Sequence, residues 1–119
     1  MIVIPIKPIS TNQLFQGRRF KTAKYDEFIQ AAMYLMPKIP MVKGMIRIRV
    51  NFYVKHDKTS DLDNFLKGFL DLIVKKGYIE DDRFIYQLYV KKFNSDYERI
   101  ELKVQPLGPK KIIEHSLKY

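Results

Sequence analysis

The chain has 119 residues and a formal net charge of +9, a length that suffices for one domain with a hydrophobic core and is too short for two. With no cysteine it has neither a disulfide framework nor a thiolate metal site, and no apolar run approaches the length of a membrane span. Pro5 and Lys7 interrupt the first apolar residues too early for a signal peptide. We therefore expect a single cytoplasmic domain.

The charges are distributed unevenly along the chain. Residues 1–58 carry 11 Lys and Arg against 3 Asp and Glu, a net charge of +8, whereas residues 59–119 carry 11 against 10, a net charge of +1. Six of those ten acids lie between residues 61 and 82. A basic surface attracts a polyanion and a local cluster of acids attracts a cation, but charge alone supports solubility and nucleic-acid binding equally.

The first elements predicted in chain order are a strand and a basic loop. Residues 1–6 form a short β-branched run that predicts a strand. Residues 16–21 form a glycine turn in which Arg18, Arg19 and Lys21 surround Phe20. Cations next to an aromatic ring suit contact with phosphates and bases, although an ordinary solvated loop has the same composition.

A helix and a strand follow. Apolar residues at helical spacing over residues 22–36 predict a helix that covers the core and ends before Pro37. Residues 45–54 alternate between a face of Ile and Val with Phe52 and a face with Arg47, Arg49, Asn51 and Tyr53, which predicts a half-buried strand with a basic outer face.

A second helix is predicted from Leu62 onward. Its apolar residues recur at positions 62, 65, 66, 69, 70 and 73, the pattern of a helix lying on a core. Lys76 and Gly77 predict its end, because a cation suits the last turn and glycine adopts the left-handed conformation readily.

Two further strands are predicted at residues 84–93 and 99–104, joined as a hairpin by the turn residues 94–97. The order of elements predicts an α+β fold, a single small domain with a mixed or antiparallel sheet flanked by two main helices. We expect the domain to span residues 1–105. Residues 106–119 are then a C-terminal extension, whose last ten residues form a short helix or an unanchored tail.

Asp61 and Asp63 are the first candidate metal ligands. Two helical positions differ by about 200° of rotation, so both carboxylates reach one metal ion only if Asp61 lies at or before the helix cap in extended backbone. Lys67, one turn beyond Asp63, can hold a phosphate oxygen. One of Asp81 and Asp82 would supply a third carboxylate of the kind that Mg²⁺ prefers.

That third ligand imposes a condition on the chain path, because an antiparallel return would carry Asp81 and Asp82 away from Asp61 and Asp63 by the length of the helix.

The alternative interpretation of these acids is purely structural. Ser60 caps the helix with Asp63 in a capping box, Asp63 pairs with Lys67, and residues 80–82 form a solvated turn. The sequence contains no histidine-rich zinc site, no phosphate-binding glycine loop and no nucleophile elbow, which argues against a nucleotide-driven enzyme or a serine hydrolase.

The run Asp61-Leu62-Asp63-Asn64-x-x-Lys67, with Asp81-Asp82 about twenty residues from its start, resembles the RusA family of Holliday-junction resolvases. The resemblance spans most of residues 5–104. The family consists of small, homodimeric, magnesium-dependent endonucleases, often encoded by prophages, that act in DNA recombination and repair.

Carried over by position, the resemblance implies Asp61, Asp63 and Asp82 as metal-binding and catalytic acids and Lys67 as a catalytic phosphate contact. The residues expected to contact nucleic acid, from the resemblance and from the basic loop, are Asn12, Arg18, Arg19, Lys21 and Lys67. We therefore expect an Mg²⁺-dependent enzyme, with Mn²⁺ as a substitute and no nucleotide cofactor. It would be a homodimer that resolves four-way DNA junctions by paired symmetric nicks. The alternatives are a non-catalytic basic module that binds branched or single-stranded DNA, and a related nuclease acting on flaps or duplex.

Overall fold

The computed structural model describes residues 1–10, 23–56 and 61–108, and the backbone alone of residues 15–16 and 20–21. The described elements, in chain order, are β1 (Ile2–Ile4), β2 (Phe15–Gln16), β3 (Phe20–Lys21), α1 (Ala23–Leu35), β4 (Ile46–Val54), α2 (Leu62–Lys76), a 3₁₀ turn (Asp82–Phe84), β5 (Ile85–Asn94) and β6 (Arg99–Pro106). The predicted helices and long strands are therefore confirmed to within a residue or two at their ends.

The main sheet has four strands in the order β1-β6-β4-β5, and β2 pairs separately with β3. Strand β6 is antiparallel to both β1 and β4, whereas β5 is parallel to β4. Helix α2 makes the crossover between the two parallel strands, as parallel pairing requires. The sheet is mixed and the fold is α+β, as predicted.

The predicted hairpin between β5 and β6 is wrong, because β4 lies between these strands. The turn residues do reverse the chain, but the connection passes over the end of β4 instead of closing tightly. There the backbone N–H of Ser95 donates to the carbonyl of Val54 at 3.0 Å. The chain therefore crosses two strand spacings, about 10 Å, before it returns as β6.

The core lies between one face of this sheet and the two helices. The ring of Phe52 on β4 stands 5.6 Å from that of Phe65 and 5.7 Å from that of Phe69, both on α2. Helix α1 buries Tyr25, Phe28 and Ala32. Because these apolar faces are used in packing, the polar flank of α2 is left toward solvent.

The end of α2 follows the prediction from Lys76 and Gly77. Gly77 has a positive φ of 83°, and its N–H donates to the carbonyl of Val74 at 3.0 Å. Lys76 turns inward instead, and its ammonium donates to the carbonyl of Met33 on α1 at 2.9 Å.

Within the described residues, no helix is long and apolar enough to cross a membrane.

Candidate active site

Asp61 and Asp63 stand at the start of α2 in the backbone arrangement that a shared metal ion requires. Asp61 is the N-cap residue with φ −76° and ψ 155°, an extended conformation, and its side chain makes no capping hydrogen bond. Its carbonyl accepts from the N–H of Asn64 at 3.1 Å. Asp63 lies in the first turn, and both carboxylates are exposed. Two exposed carboxylates at a positive helix terminus suit a hard divalent cation.

The purely structural interpretation of these acids is only partly supported. Ser60 lies outside the described residues, so its capping role is open. The ion pairs among described residues are Lys55–Asp96 at 3.8 Å and Arg99–Glu101 at 3.4 Å. An Asp63–Lys67 ion pair is therefore absent from the described part of the chain, and Lys67 is exposed one turn beyond Asp63.

Asp81 and Asp82 begin the 3₁₀ turn, and their pKa values shift in opposite directions. Asp81 accepts a hydrogen bond from the backbone N–H of Arg83 at 3.0 Å, and this bond is the main reason why the pKa of Asp81 is lowered. A hydrogen bond with Asp81, partial desolvation, and repulsion from Asp81 and Asp71 raise the pKa of Asp82. These causes all disfavour the charged form of the Asp82 carboxyl, and a cation bound beside it would favour that form.

Asp82 lies beside the later turns of α2. A cleft of about 320 Å³ is lined by Tyr25, Asp71, Val74, Lys75, Asp81 and Asp82. The Lys75 ammonium donates to the Tyr25 hydroxyl at 2.6 Å and stands 4.8 Å from the centre of its ring. This contact ties α2 to α1 at the floor of the cleft.

The two groups of acids are consequently separated along one helix. Asp71, the α2 residue that repels Asp82, lies ten residues beyond Asp61, which is about 15 Å along the helix axis. Among residues 1–10, 23–56 and 61–108, no three His, Asp or Glu side chains are arranged to hold a metal ion. A site that joins Asp61, Asp63 and Asp82 thus stays a prediction, and one chain does not form it among these residues.

Sequence reasoning gave no role to Asp71. The structure places it next to Asp82 and Lys75 in the cleft. The available signal was the four-residue spacing of Asp63, Lys67 and Asp71, which puts all three on one flank of α2. That flank leads from the first pair of acids toward the second.

The predicted nucleic-acid contacts fall mostly outside the described structure. Asn12, Arg18 and Arg19 lie outside the described residues. Lys21 pairs with Phe15 through its backbone, and its side chain is not described. Lys67 is the member of this set whose side chain is described, and it faces solvent.

These features define a class of protein. The domain carries a large positive charge, which favours binding of a polyanion. It also presents the carboxylates of Asp61 and Asp63 at the start of one helix, which favour binding of a divalent cation. A metal-dependent enzyme acting on nucleic acid needs both.

Comparison with known proteins agrees with that class. The family model for endodeoxyribonuclease RusA matches residues 6–105. The chain is also similar to the crossover junction endodeoxyribonuclease rusA of Enterobacteria phage HK97. The two are 36% identical over 85 residues, which is 67% of this chain and 71% of the phage protein. The chain belongs to the RusA family of endodeoxyribonucleases. The resemblance drawn from the sequence is confirmed, and the chain is placed among enzymes, not among non-catalytic binding modules.

Proposed function

We propose that this protein is a divalent-metal-dependent, structure-selective endonuclease that resolves four-way DNA junctions by paired symmetric nicks, in the recombination and repair of DNA in the cytoplasm. Membership of the RusA family and the likeness to a crossover junction endodeoxyribonuclease support the reaction and its substrate. The structural observation that carries the proposal is the extended backbone of Asp61 at the N-cap of α2. The Asp61 carboxylate makes no capping hydrogen bond and stands next to the first helical turn, which bears Asp63.

The proposed metal ligands are Asp61, Asp63 and Asp82, and their oxygens fit Mg²⁺, with Mn²⁺ as a substitute. When bound, the ion would neutralise the scissile phosphate and lower the pKa of an attacking water. Lys67 would hold a non-bridging phosphate oxygen, because its exposed ammonium lies one turn beyond Asp63 on the same flank. Asn12, Arg18, Arg19 and Lys21 would contact the DNA backbone.

A homodimer would complete this site. One chain presents Asp61 and Asp63 at the first turn of α2 and Asp82 at its later turns, so a second copy can bring the partner subunit's Asp82 to the first pair. A four-way junction has two-fold symmetry, and two active sites related by a dyad match its two cuts. We therefore place the metal site at the contact between the protomers.

Cleavage of a synthetic four-way junction tests the proposal. The wild type, with Mg²⁺, should produce paired symmetric nicks and should cut a flap or a linear duplex much less. Asp63→Asn should abolish cutting. Asp96→Asn is the matched control, because Asp96 is an exposed loop acid whose ion pair in the described part of the chain is with Lys55, and it should cut like the wild type. A wild type that leaves the junction intact, or an Asp63→Asn variant of full activity, would refute the assignment.

A further inference from the structure

The second face of the main sheet, opposite the helices, is not covered by any helix of the described chain. We call it the outer face. The strand registers place the following side chains on it: Arg47, Arg49, Asn51 and Tyr53 from β4, Gln87, Tyr89, Lys91 and Phe93 from β5, Arg99, Glu101, Lys103 and Gln105 from β6, and Val3 from β1. Most of these side chains are charged, amide-bearing or aromatic, so this face is not an apolar surface that awaits a core.

The outer face is strongly basic. It carries five cations, namely Arg47, Arg49, Lys91, Arg99 and Lys103, against the single carboxylate of Glu101, a net charge of +4. In the central rows of the sheet, Arg49 lies between Lys103 on one side and Tyr89 on the other. A dense group of cations on an open sheet favours an anionic ligand.

Aromatic rings are interleaved with these cations. Tyr89 is 49% exposed and Phe93 39% exposed. The Arg49 guanidinium lies 5.0 Å from the centre of the Tyr89 ring, and the Tyr53 and Phe93 rings stack at 4.9 Å with 15° between their planes. A groove of about 170 Å³ runs beside Tyr89 and is lined by Met1, Arg49, Asn51, Tyr89 and Lys91.

Glu101 fixes part of this arrangement. It accepts from the Tyr53 hydroxyl at 2.7 Å, from the Asn51 amide at 3.4 Å and from Arg99 Nε at 3.4 Å. Arg99 in turn lies 3.6 Å from the centre of the Tyr53 ring. The Tyr53 ring, against which Phe93 stacks, is thus held in place before any ligand arrives.

We propose that the outer face is a second binding surface, one that takes single-stranded nucleic acid by stacking unpaired bases on Tyr89 and Phe93 beside phosphates held by Arg49, Lys91 and Lys103. Exposed rings next to cations on an open sheet are the means by which proteins bind unpaired strands. In a duplex the bases are stacked on each other, so the rings select for single strands.

The charge argues against self-association through this face, because two copies would bring five cations against five. The surface also lies on the opposite side of the sheet from α2, which carries Asp61 and Asp63. The inference therefore goes beyond the proposed function and does not depend on it.

Fluorescence anisotropy with two labelled strands of equal length, oligo(dT) and an abasic phosphodiester, tests the proposal on the wild type. The two strands carry the same charge, but only oligo(dT) has bases. We expect oligo(dT) to bind about tenfold more tightly or better, because only its bases can stack on the exposed aromatic rings. Equal affinities would overturn the proposal without recourse to any variant.

Variants then locate the surface. Tyr89→Ala should weaken oligo(dT) binding about tenfold and Tyr89→Phe should restore it, since stacking on the ring has this magnitude and does not need the hydroxyl. Tyr34→Ala is the matched control, because Tyr34 is 89% exposed on α1, in the other layer, and it should bind like the wild type. Arg49→Gln should flatten the salt dependence of binding.

Three results would refute this location. The first is a Tyr89→Ala variant that binds oligo(dT) as tightly as the wild type, and the second is a Tyr34→Ala variant whose oligo(dT) binding is weakened as much as that of Tyr89→Ala. The third is a Tyr89→Ala variant whose sedimentation coefficient changes while its affinity for oligo(dT) does not, which would make the outer face a contact between copies. Junction cleavage by the same proteins is a separate readout. A variant that loses oligo(dT) binding but still makes paired nicks would leave the proposed function standing. A variant that loses nicking but still binds oligo(dT) would leave the proposal for the outer face standing.

Discussion

Asp82 faces the later turns of the helix that Asp61 begins. Asp61 caps α2 in extended backbone, whereas Asp82 shares a cleft with Asp71, Val74 and Lys75. The helix therefore acts as a spacer between two sets of acids within one chain. We propose that a catalytic site that needs both sets draws them from two chains, and the first prediction tests this directly.

Mixed dimers of two inactive variants distinguish a shared site from a single-chain site. We expect Asp63→Asn and Asp82→Asn each to be inactive as homodimers. A heterodimer of the two, isolated with two different tags, should regain nicking at one of its two sites, because one shared site then keeps both of its acids. The measurement is single-strand nicking of a labelled four-way junction.

The positive control for this experiment is a heterodimer of wild type with Asp63→Asn, which has one intact site in either arrangement. If this control is active and the Asp63→Asn/Asp82→Asn heterodimer is as inactive as the two variant homodimers, each site is built within one chain.

Variants of the proposed metal-binding acids should separate binding from cleavage. In the proposed site, Asp61→Asn and Asp82→Asn would remove negative charge that faces the DNA phosphates, so we expect junction affinity to be kept or increased while cleavage is lost. Gel-shift titration in Ca²⁺ or without metal, alongside the cleavage assay, measures both. If affinity falls in step with activity and the variants melt earlier, these acids serve folding.

Neutralising the basic loop should have the opposite effect. An Arg18→Gln/Arg19→Gln double variant should bind the junction more weakly at low salt, and the slope of log affinity against log salt should fall by about 2, near one unit for each lost phosphate contact. Lys38→Gln, an exposed cation just beyond α1, serves as the matched control and should keep the wild-type slope. A double variant with that same slope would remove residues 18 and 19 from the DNA surface.

Glu101 predicts an acid-sensitive contribution to stability. The Tyr53 hydroxyl is the main cause that lowers the pKa of Glu101 from its usual 4.5, with help from Asn51 and Arg99. A carboxyl whose pKa is lower in the folded state stabilises the fold above its unfolded pKa, and this stabilisation is lost as the pH falls through the folded pKa. Glu101→Gln should therefore reduce the free energy of unfolding by about 1 kcal/mol at pH 7, and this difference should shrink as the pH falls from 4.5 through the lowered pKa of Glu101.

Urea unfolding of the wild type and Glu101→Gln across pH 3 to 7 measures that difference. Glu98→Gln is a suitable comparison, because its hydrogen bond to the backbone N–H of Lys55 is exposed and 3.3 Å long. A Glu101→Gln difference that stayed constant with pH would show that shape, not ionisation, sets the contribution of Glu101.

Local signals in the sequence were sufficient for the individual elements. The apolar spacing from Leu62 and the glycine at position 77 predict α2 closely, because helix packing and helix termination depend on neighbouring residues. The same is true of the alternation that predicts β4. Helix rotation also set the condition for Asp61 and Asp63 to share a metal ion, an extended backbone at Asp61, and the structure meets that condition.

Strand pairing could not be predicted from turn residues. Residues 94–97 mark where the chain reverses, but they do not specify which strand becomes the neighbour. The informative pattern was the order of strand, helix and strand across residues 46–94, since a crossover helix joins parallel strands and places β5 beside β4. Likewise, nothing in the spacing of Asp71 and Asp82 revealed that they meet, because their proximity depends on how the chain returns after Gly77.

Strand β6 is the last long element in the described part of the chain, and yet it lies inside the sheet, between β1 and β4. During synthesis, β1 and the edge of β4 that pairs with β6 therefore have no strand partner until the chain past Pro106 has left the ribosome. A chain that ends before β6 therefore exposes two unpaired strand edges, which favour aggregation.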